Sequence, residues 1–371
     1  MSKIKLFVDA HVFDEKYQGT RTFLKGLYTH MADSSGLDIY MAALDVENLK
    51  QEFGYHKNFH YLAYKSPSKI YRLLVDIPYL IKRYNIDIAH FQYISPLIKT
   101  CKEIITIHDL LFNDFKEDFS ASYRISKNIL FKKSARRADL LTTVSDYSAD
   151  RITQHYQIPK SNIYLTPNGI EPIFFNFPSG QTVINVKGKY LLQKYILYVS
   201  RVEPRKNHLL LLKAYHGLAL YEKNISLVMI GKNDLSYKDF EDYYQSLPEP
   251  VKKHVVRLED INLQELLNFY YHADLFIYPS KAEGFGIPPL EAAAMKVNTL
   301  CSASTAMADF RFFGDNLFDP TDIEEIKKKI TFALESGSSS EKKQEIADII
   351  LNKYNWKKIA ASFTNKIQEL F

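Results

Sequence analysis

The chain has 371 residues, of which 46% are hydrophobic and 25% charged, and its net charge is +5. This length is long for one hydrophobic core and comfortable for two domains. The net charge is too small to predict nucleic-acid binding, and Cys101 and Cys301 match no metal-site spacing, so we expect reduced thiols. No stretch approaches the ~18 apolar residues of a membrane span, and no signal peptide is predicted.

The first half of the chain alternates apolar segments with helical ones. Strands are predicted at 4–8, 39–43, 59–62, 88–91, 103–107, 140–144 and 163–165. Helices are predicted at 23–31, 73–84 and 122–138, and a further helix is expected to start at the capping residue Ser145 and to reach about 156. Nearly continuous apolar strands between helices are typical of a buried parallel sheet.

The same alternation restarts in the second half. After the turn Asn168-Gly169, residues 171–194 lack a clear pattern and are predicted to be a linker. Strands follow at 196–200, 226–230 and 275–278, and helices at 209–221, 240–246 and 262–272. We therefore predict an α/β protein with two Rossmann-like domains, residues 1–172 and 193–355, whose ligands bind at the carboxyl ends of the strands.

One segment, residues 278–291, predicts a ligand site. It places Glu283 and Glu291 seven residues apart, with Gly284, Gly286 and two prolines between them and an Ala-rich helix after them. A helix N-terminus offers free N–H groups to an anion, and glycines let the backbone approach a ligand closely. The segment thus combines a phosphate cradle with a carboxylate on either side, which suits a nucleotide-sugar.

This segment resembles the E-x7-E motif of retaining family 4 glycosyltransferases with the GT-B fold. The resemblance implies two domains facing across a cleft and a C-terminal helix, residues 356–371, that crosses back to the first domain. It also implies that Glu283 holds sugar hydroxyls and that Glu291 binds the ribose. The remaining donor-binding residues implied by the motif are Gly284, Phe285, Gly286 and Ile287.

A second constellation follows the first strand of the second domain. The loop 200–207 reads Ser-Arg-Val-Glu-Pro-Arg-Lys-Asn. By itself an Arg/Lys-rich loop is usually only a solvated surface. In this place it resembles the family's Arg…Lys pair, which implies that Arg201 and Lys206 hold the donor diphosphate and stabilise the departing nucleotide. Arg205 is expected to be structural, and the nucleotide is expected near Gly231.

In the first half, the segment 106–110 ends a strand with His108-Asp109. A lone histidine is more often a core or loop residue whose hydrogen bonds are made within the protein. This one, however, resembles the family histidine that contacts the donor sugar. Gly19 resembles the glycine loop that faces the phosphates and the acceptor. Asp109, together with His90 and Ser145, is a candidate for the acceptor side.

Basic residues are concentrated in two apolar segments, 65–83 and 122–138. The simpler interpretation is a pair of amphipathic helices with solvated basic faces. The alternative is that 122–138 rests on anionic lipid headgroups. Because many relatives act on lipid-linked acceptors, the resemblance favours a cytoplasmic protein, peripheral on the inner face of the cytoplasmic membrane.

The resemblance implies a metal-independent hexosyl transfer, without cofactor, to a bacterial surface glycan that is expected to be lipid-linked. GDP-mannose is the first choice of donor and a UDP-sugar the second. The chain departs from the family at Ser200, Lys296 and Asn298, where relatives usually have glycine, glycine and proline. These departures leave open a catalytically silent partner subunit; a phosphorylase or an inverting enzyme of the same fold is also open. A Rossmann dehydrogenase is excluded, because no G-x-G-x-x-G follows the first strand.

Overall fold

The computed structural model describes residues 3–14, 19–32, 36–180, 183–233 and 237–371. The chain forms two compact units, Met1–Gly169 with Tyr354–Phe371, and Ile170–Lys353. Each unit is built around one parallel sheet with helical connections. The predicted α/β class with two Rossmann-like sheets is confirmed.

The first unit contains a seven-stranded sheet in the order β3-β2-β1-β4-β5-β6-β7. Its strands are β1 (Ile4–Asp9), β2 (Leu37–Ala43), β3 (Phe59–Ala63), β4 (Ile88–Gln92), β5 (Lys102–Thr106), β6 (Leu140–Thr143) and β7 (Ile163–Leu165). Its longer helices are Gly19–Thr29, Val46–Phe53, Ile77–Tyr84, Ala121–Arg137, Asp146–Tyr156 and Trp356–Gln368. The central strands β1, β4 and β5 are buried along most of their length, which is why they read as almost uninterrupted apolar runs.

The second unit contains a six-stranded sheet in the order β10-β9-β8-β11-β12-β13. Its strands are β8 (Lys194–Val199), β9 (Ile225–Ile230), β10 (Val255–Leu258), β11 (Leu275–Tyr278), β12 (Thr299–Ser302) and β13 (Leu317–Phe318). Its longer helices are His208–Gly217, Lys238–Ser246, Leu263–His272, Ile287–Ala294, Ile323–Glu335 and Ser340–Lys353. β8 lies between β9 and β11, so the loops that follow β8 and β11 leave the same edge of the sheet side by side.

The C-terminal helix Trp356–Gln368 belongs to the first unit, as predicted. Trp356, which is 2% exposed, lies against Gly26 and Gly169. A Cβ atom on Gly26 would lie 2.1 Å from the Trp356 ring, and one on Gly169 would lie 2.6 Å from it. The helix docks closely because two glycines leave room for the indole.

The stretch predicted as a linker, residues 171–194, contains two short helices, Ile173–Asn176 and Val186–Lys189. It packs on the helix Leu263–His272 of the second unit, where the Ile184 N–H donates to Asn268 Oδ1 at 2.8 Å. The Lys189 ammonium also contacts Glu265 at 2.5 Å. Because of these contacts, the segment is part of the second unit and not a free linker.

The predicted basic helix spans Ala121–Arg137. Ile125 and Ile129 are 62% and 63% exposed on it, while Arg137 forms a two-pronged ion pair with the buried Glu103. Not every basic residue of this helix is therefore available at the surface, because Arg137 is engaged inside the unit and Arg136 donates to the Tyr156 carbonyl. Within the described part of the chain, no helix is long and apolar enough to cross a membrane.

Candidate active site

Glu283 lies at the centre of a charged cluster at the carboxyl edge of the second sheet. It follows β11, and the loop after the neighbouring β8 brings Lys206 into a direct ion pair with Glu283 Oε1. The Tyr278 hydroxyl donates to the same oxygen at 2.8 Å, and Arg205 Nη1 lies 3.5 Å from Oε2. Both carboxylate oxygens of Glu283 are thus engaged by cationic or donor groups.

The loop 200–207 is fixed by a second carboxylate, Glu203. Its two oxygens contact Arg201 Nη2 at 2.6 Å and Arg205 Nε at 2.8 Å. Arg205 also donates to the Ala282 carbonyl at 2.9 Å, which ties the loop after β8 to the loop after β11. Arg205 was expected to be structural, and its contacts with Glu203 and with the Ala282 carbonyl are of that kind. It also lies beside Glu283.

The charges in this cluster shift one another's titration. Burial alone would raise the pKa of Glu283, but the Lys206 ammonium and the Arg205 guanidinium outweigh it and hold that pKa at about 2. Burial lowers the pKa of Lys206 despite the attraction of Glu283. Arg201, by contrast, has a half-exposed side chain (47%) and can turn toward a ligand.

The E-x7-E loop ends at the helix Ile287–Ala294. Gly286 precedes this helix with φ = +102°, a backbone conformation that L side chains rarely adopt, and a Cβ there would lie 2.9 Å from Met307. Gly284 and Phe285 complete the turn, and the Phe285 ring packs on Phe310 at 5.7 Å. The helix begins at Ile287, so the peptide N–H groups of its first turn, apart from those that Pro288 and Pro289 lack, have no partner within the helix and can bind an anion.

Glu291 lies one turn into that helix and accepts a hydrogen bond from the Tyr270 hydroxyl at 2.9 Å. Burial, with a contribution from the charge of Glu171, raises the pKa of Glu291 to about 7. The two glutamates of the motif therefore differ in charge near neutral pH, because Glu283 is ionised while Glu291 is half protonated.

Gly231 follows β9 beside the start of the Arg201 loop. A Cβ on Gly231 would lie 2.0 Å from the Ser200 carbonyl oxygen, and its φ is +151°. Only glycine allows these two backbone segments to approach so closely. Their approach forms one wall of a small pocket that is also lined by His208, Phe240 and Arg257.

In the first unit, His90 and His108 lie at the carboxyl edge of the sheet, on and after the neighbouring strands β4 and β5. Gln92 connects them, since its Oε1 lies 2.7 Å from His108 Nε2 and its Nε2 lies 3.1 Å from His90 Nε2. Burial lowers the pKa of each imidazole to about 3, so both rings are neutral at neutral pH. His90 is fully buried, so its ring is not open to direct contact with an acceptor.

The other predicted residues of the first unit have local backbone roles or lie at the surface. Ser145 caps the helix Asp146–Tyr156 by accepting from the Ser148 N–H at 3.1 Å, and Asp109 accepts from the Leu111 N–H at 3.2 Å. Gly19 is exposed at the start of the helix Gly19–Thr29, and a Cβ there would meet nothing within 4 Å. Its predicted neighbours in the loop, residues 17–18, lie outside the described residues.

Comparison with known proteins identifies the family. Residues 17–173 match the family model described as Glycosyltransferase Family 4, and residues 181–349 match Glycosyl transferases group 1. Together the two models span most of the chain. The chain belongs to the family 4 and group 1 glycosyltransferases.

One relative is the O-antigen chain mannosyltransferase B of Escherichia coli, 31% identical over 212 residues, which are 56% of this chain and 54% of that protein. The chain spans about half the length, or less, of the curated relatives it matches. Among solved structures, a glycosyltransferase from Rickettsia africae has a TM-score of 0.75 at 19% identity, covering 100% of this chain and 98% of that one. The Anabaena protein HepE, solved with UDP and glucose, has a TM-score of 0.74 at 15% identity, covering 99% and 100%.

The departures of this glycosyltransferase from its family have visible structural consequences. Lys296 stands where relatives usually have glycine, and its φ of +60° is a left-handed conformation that a lysine adopts at a cost. Asn298, at the usual proline position, uses its side chain to donate to the Ala333 carbonyl at 2.9 Å. The short helical turn Thr305–Asp309 contacts the site directly, because Thr305 Oγ1 accepts from the Glu283 N–H at 2.9 Å.

Sequence reasoning missed a buried cluster at the carboxyl end of β1. Asp9 accepts from His11 Nδ1 at 2.9 Å and from the Tyr64 hydroxyl at 2.8 Å, and Arg72 Nε lies 3.6 Å away. Burial alone would raise the pKa of Asp9, but these neighbours hold it well below its usual value. An aspartate closing an apolar strand, Val8-Asp9, was the signal available in the sequence.

Proposed function

We propose that this protein is a retaining, metal-independent glycosyltransferase that moves a hexose from a nucleotide-sugar to a bacterial surface glycan. The observation that carries the proposal is the cluster of Arg201, Arg205, Lys206 and Glu283 beside the cradle at Gly286–Ile287. Two of these cations, Arg201 and Lys206, lie next to a helix N-terminus and so form a site for a diphosphate. A carboxylate in the same cluster suits a polyhydroxylated ligand better than a free anion.

Lys206 and Arg201 are proposed to stabilise the departing nucleoside diphosphate. Lys206 is buried and oriented by Glu283, so little reorganisation is needed when charge develops on the leaving phosphate. Arg201 has the half-exposed side chain needed to reach the second phosphate. Glu291 is proposed to bind the ribose hydroxyls, and the base is proposed to lie against the surface near Gly231 and Arg257.

For the chemical step we propose a same-face substitution. The acceptor hydroxyl oxygen forms a bond to the anomeric carbon as the bond to the phosphate oxygen breaks, and the hydroxyl proton passes to the departing phosphate. Both oxygens of Glu283 are engaged by Lys206, Tyr278 and Arg205, which supports a binding role for Glu283 rather than attack on the sugar. The product would keep the anomeric configuration of the donor.

For the donor we propose GDP-mannose, supported by the mannosyltransferase among the relatives, with a UDP-sugar as the second choice, supported by the neighbour solved with UDP and glucose. A thermal-shift screen against GDP, UDP, ADP, CMP and dTDP, with and without magnesium, tests the proposal. A nucleotide at ~100 times its dissociation constant should stabilise the protein by about 2.7 kcal/mol. Stabilisation by one nucleotide without metal supports the proposal; no response to any of them favours a catalytically silent partner subunit.

We also infer a peripheral location on the cytoplasmic face of an anionic membrane. Ile125 and Ile129 are exposed on the helix Ala121–Arg137, and Ile70 is exposed before the helix Ile77–Tyr84. Both helices pack against the same hydrophobic cluster of the first unit. Exposed isoleucines among lysines and arginines suit a lipid-headgroup boundary.

Vesicle sedimentation tests this location. Wild type is expected to sediment with phosphatidylglycerol vesicles and not with phosphatidylcholine vesicles. The double variant Ile125→Glu/Ile129→Glu should lose this binding, while Phe332→Glu, which changes a residue 60% exposed in the second unit, should retain it. Equal loss in both variants would contradict the assignment to this helix.

A further inference from the structure

Glu203 is a buried carboxylate of the charged cluster to which the proposed function gives no role. It is 5% exposed and lies on the loop between β8 and the helix His208–Gly217. Its Oε1 accepts from Arg201 Nε at 3.1 Å and from Arg201 Nη2 at 2.6 Å, while its Oε2 lies 2.8 Å from Arg205 Nε. One carboxylate therefore binds two guanidinium groups, one with each oxygen.

The two arginines are held to different degrees. The Arg205 side chain is 23% exposed and also donates from Nη1 to the Ala282 carbonyl at 2.9 Å, so it is fixed at a second point. The Arg201 side chain is 47% exposed, and among the residues that the structure describes its guanidinium is hydrogen-bonded to Glu203 alone. Arg201 is therefore the member of the pair that can exchange its partner.

The edge of Arg201 that faces Glu203 is the edge best suited to a phosphate. Nε and Nη2 form a planar pair of donors, and this fork binds two oxygens of a phosphate as well as it binds a carboxylate. A phosphate obtains both donors only by replacing Glu203 Oε1. The replacement does not leave Glu203 as an unpaired buried charge, because Arg205 holds Oε2.

Glu203 is ionised at neutral pH. Burial alone would raise its pKa, but the guanidinium groups of Arg205 and Arg201, together with the Lys206 ammonium, outweigh burial and lower that pKa. A carboxylate forms charge-assisted hydrogen bonds with a guanidinium, as a phosphate does, so the two compete on similar terms.

We propose that Glu203 is an internal competitor of the ligand phosphate, which binds Arg201 in the ligand-free protein and binds it again when the diphosphate leaves. For the identity of the ligand, this inference rests on the proposed function. Glu203 then weakens the binding of the nucleoside diphosphate product and so speeds its release, a step that limits turnover in many enzymes. If Glu203 instead presented Arg201 to the ligand, changing it would weaken the binding.

Titration of the full-length protein with inorganic pyrophosphate, GDP and UDP tests the competition. Glu203→Gln keeps the size of the side chain and removes its charge, so it should bind these ligands about tenfold more tightly than wild type. Glu203→Asp keeps the charge and should stay near the wild-type affinity. Glu249→Gln removes an exposed carboxylate of the same unit, which pairs with Lys252, and should leave the affinity unchanged. Equal or weaker binding of pyrophosphate by Glu203→Gln would overturn the proposal.

A double-mutant cycle shows whether Glu203 acts through Arg201. In the background Arg201→Met, Glu203→Gln should give no gain in affinity, because the guanidinium for which the carboxylate competes is gone. A tenfold gain that persists in this background would assign the effect to general repulsion between Glu203 and the anion, and it would overturn the proposal.

Nitrogen-15 NMR of the arginine side chains follows the exchange in the wild type itself, with the Arg201 Nε–H signal assigned from Arg201→Lys. Without ligand this proton should exchange slowly with water, because it donates to Glu203. Saturation with pyrophosphate should shift the signal as the acceptor changes from carboxylate to phosphate. A rapidly exchanging Arg201 proton in the ligand-free protein, or a signal that pyrophosphate leaves unchanged, would overturn the proposal.

This proposal and the transferase proposal fail in different ways. If pyrophosphate gives the predicted order of affinities and neither GDP nor UDP binds, the transferase proposal fails and the competition at Arg201 stands. If GDP or UDP binds the wild type and Glu203→Gln does not strengthen the binding, the competition fails and the transferase proposal stands.

Discussion

Two clusters, one at the carboxyl edge of each sheet, have opposite chemistry. In the second unit, the three cations Arg201, Arg205 and Lys206 surround the carboxylates of Glu203 and Glu283. In the first unit, His90, Gln92 and His108 form a hydrogen-bonded chain in which no group is charged at neutral pH. The same parallel-sheet scaffold thus supports a charged site in one unit and a neutral site in the other.

The difference matches what the proposed function requires of each cluster. A diphosphate requires cations, and buried cations require neighbouring carboxylates that keep them charged and correctly oriented. A sugar hydroxyl needs only a well-oriented donor or acceptor, which a neutral imidazole supplies without the cost of burying a charge. The charged cluster should therefore dominate turnover, and protonation of the neutral cluster should lower the stability in mild acid.

The largest effect is expected from Lys206→Met. Loss of the ammonium removes stabilisation of the leaving phosphate, so turnover should fall roughly 10²–10³-fold. Because Glu283 would then be buried beside fewer cations, stability should also fall. The double variant Lys206→Met/Glu283→Gln removes both charges and should recover the melting temperature but not the turnover. Lys252→Met, which breaks an exposed pair with Glu249, serves as the control.

The second prediction uses Trp356, the only tryptophan and a residue of the first unit, as a fluorescent probe of that unit's unfolding. The pKa of His108 is about 3 in the folded protein, below the 6.5 of an unperturbed histidine. The unfolded chain binds the extra proton, so the contribution of His108 to stability is complete above pH 6.5 and falls by about 1.4 kcal/mol per pH unit below it. His90, whose pKa is also about 3, adds an equal fall.

Urea denaturation between pH 6.5 and 4.5 checks this window. His108→Gln should reduce the slope of the free energy of unfolding against pH. Glu283→Gln should not change it, because the pKa of Glu283 falls from 4.5 to about 2 on folding and its contribution is lost only below pH 4.5. An unchanged slope in His108→Gln would show that this ring is not a buried neutral imidazole.

The third prediction concerns Glu291, whose pKa is raised to about 7. If the carboxylate form binds the ribose hydroxyls, nucleotide affinity should be constant above pH 7 and should weaken about tenfold per pH unit below it. Glu291→Gln should bind more weakly at pH 8 and show no such slope. Calorimetric titration at pH 5.5, 6.5 and 8 measures both variants. A parallel slope in the variant would assign the proton to another group.

The smallest effect is expected at Lys296, which follows the helix Ile287–Ala294 in a left-handed backbone conformation that is unfavourable for lysine. Lys296→Gly relieves it and should raise the stability by about 1 kcal/mol, seen as a higher melting temperature. Nucleotide binding should be unchanged. Destabilisation by this variant would mean that the lysine side chain has a compensating contact.

The sequence predicted well what is local. Apolar strand runs predicted both sheets, and the spacing of Gly286 and Glu291 predicted the loop and helix that the structure contains. Contacts between distant loops were not predictable. Lys206 and Glu283 pair because β8 and β11 are neighbours in the sheet, an order that no periodicity reveals. The contacts of Gln92 were not predictable for the same reason, because His90 and His108 lie on either side of it only in the folded sheet.

Hydrogen–deuterium exchange of the whole protein tests most directly whether the charged cluster is the nucleotide site. The ligand is the nucleoside diphosphate that gives the largest thermal shift. We predict slower exchange in residues 200–207 and 283–291 of the second unit, with little change in residues 88–109 of the first, and loss of the effect in the double variant Lys206→Met/Glu283→Gln. Protection confined to residues 88–109, or protection that survives in that variant, would contradict the account.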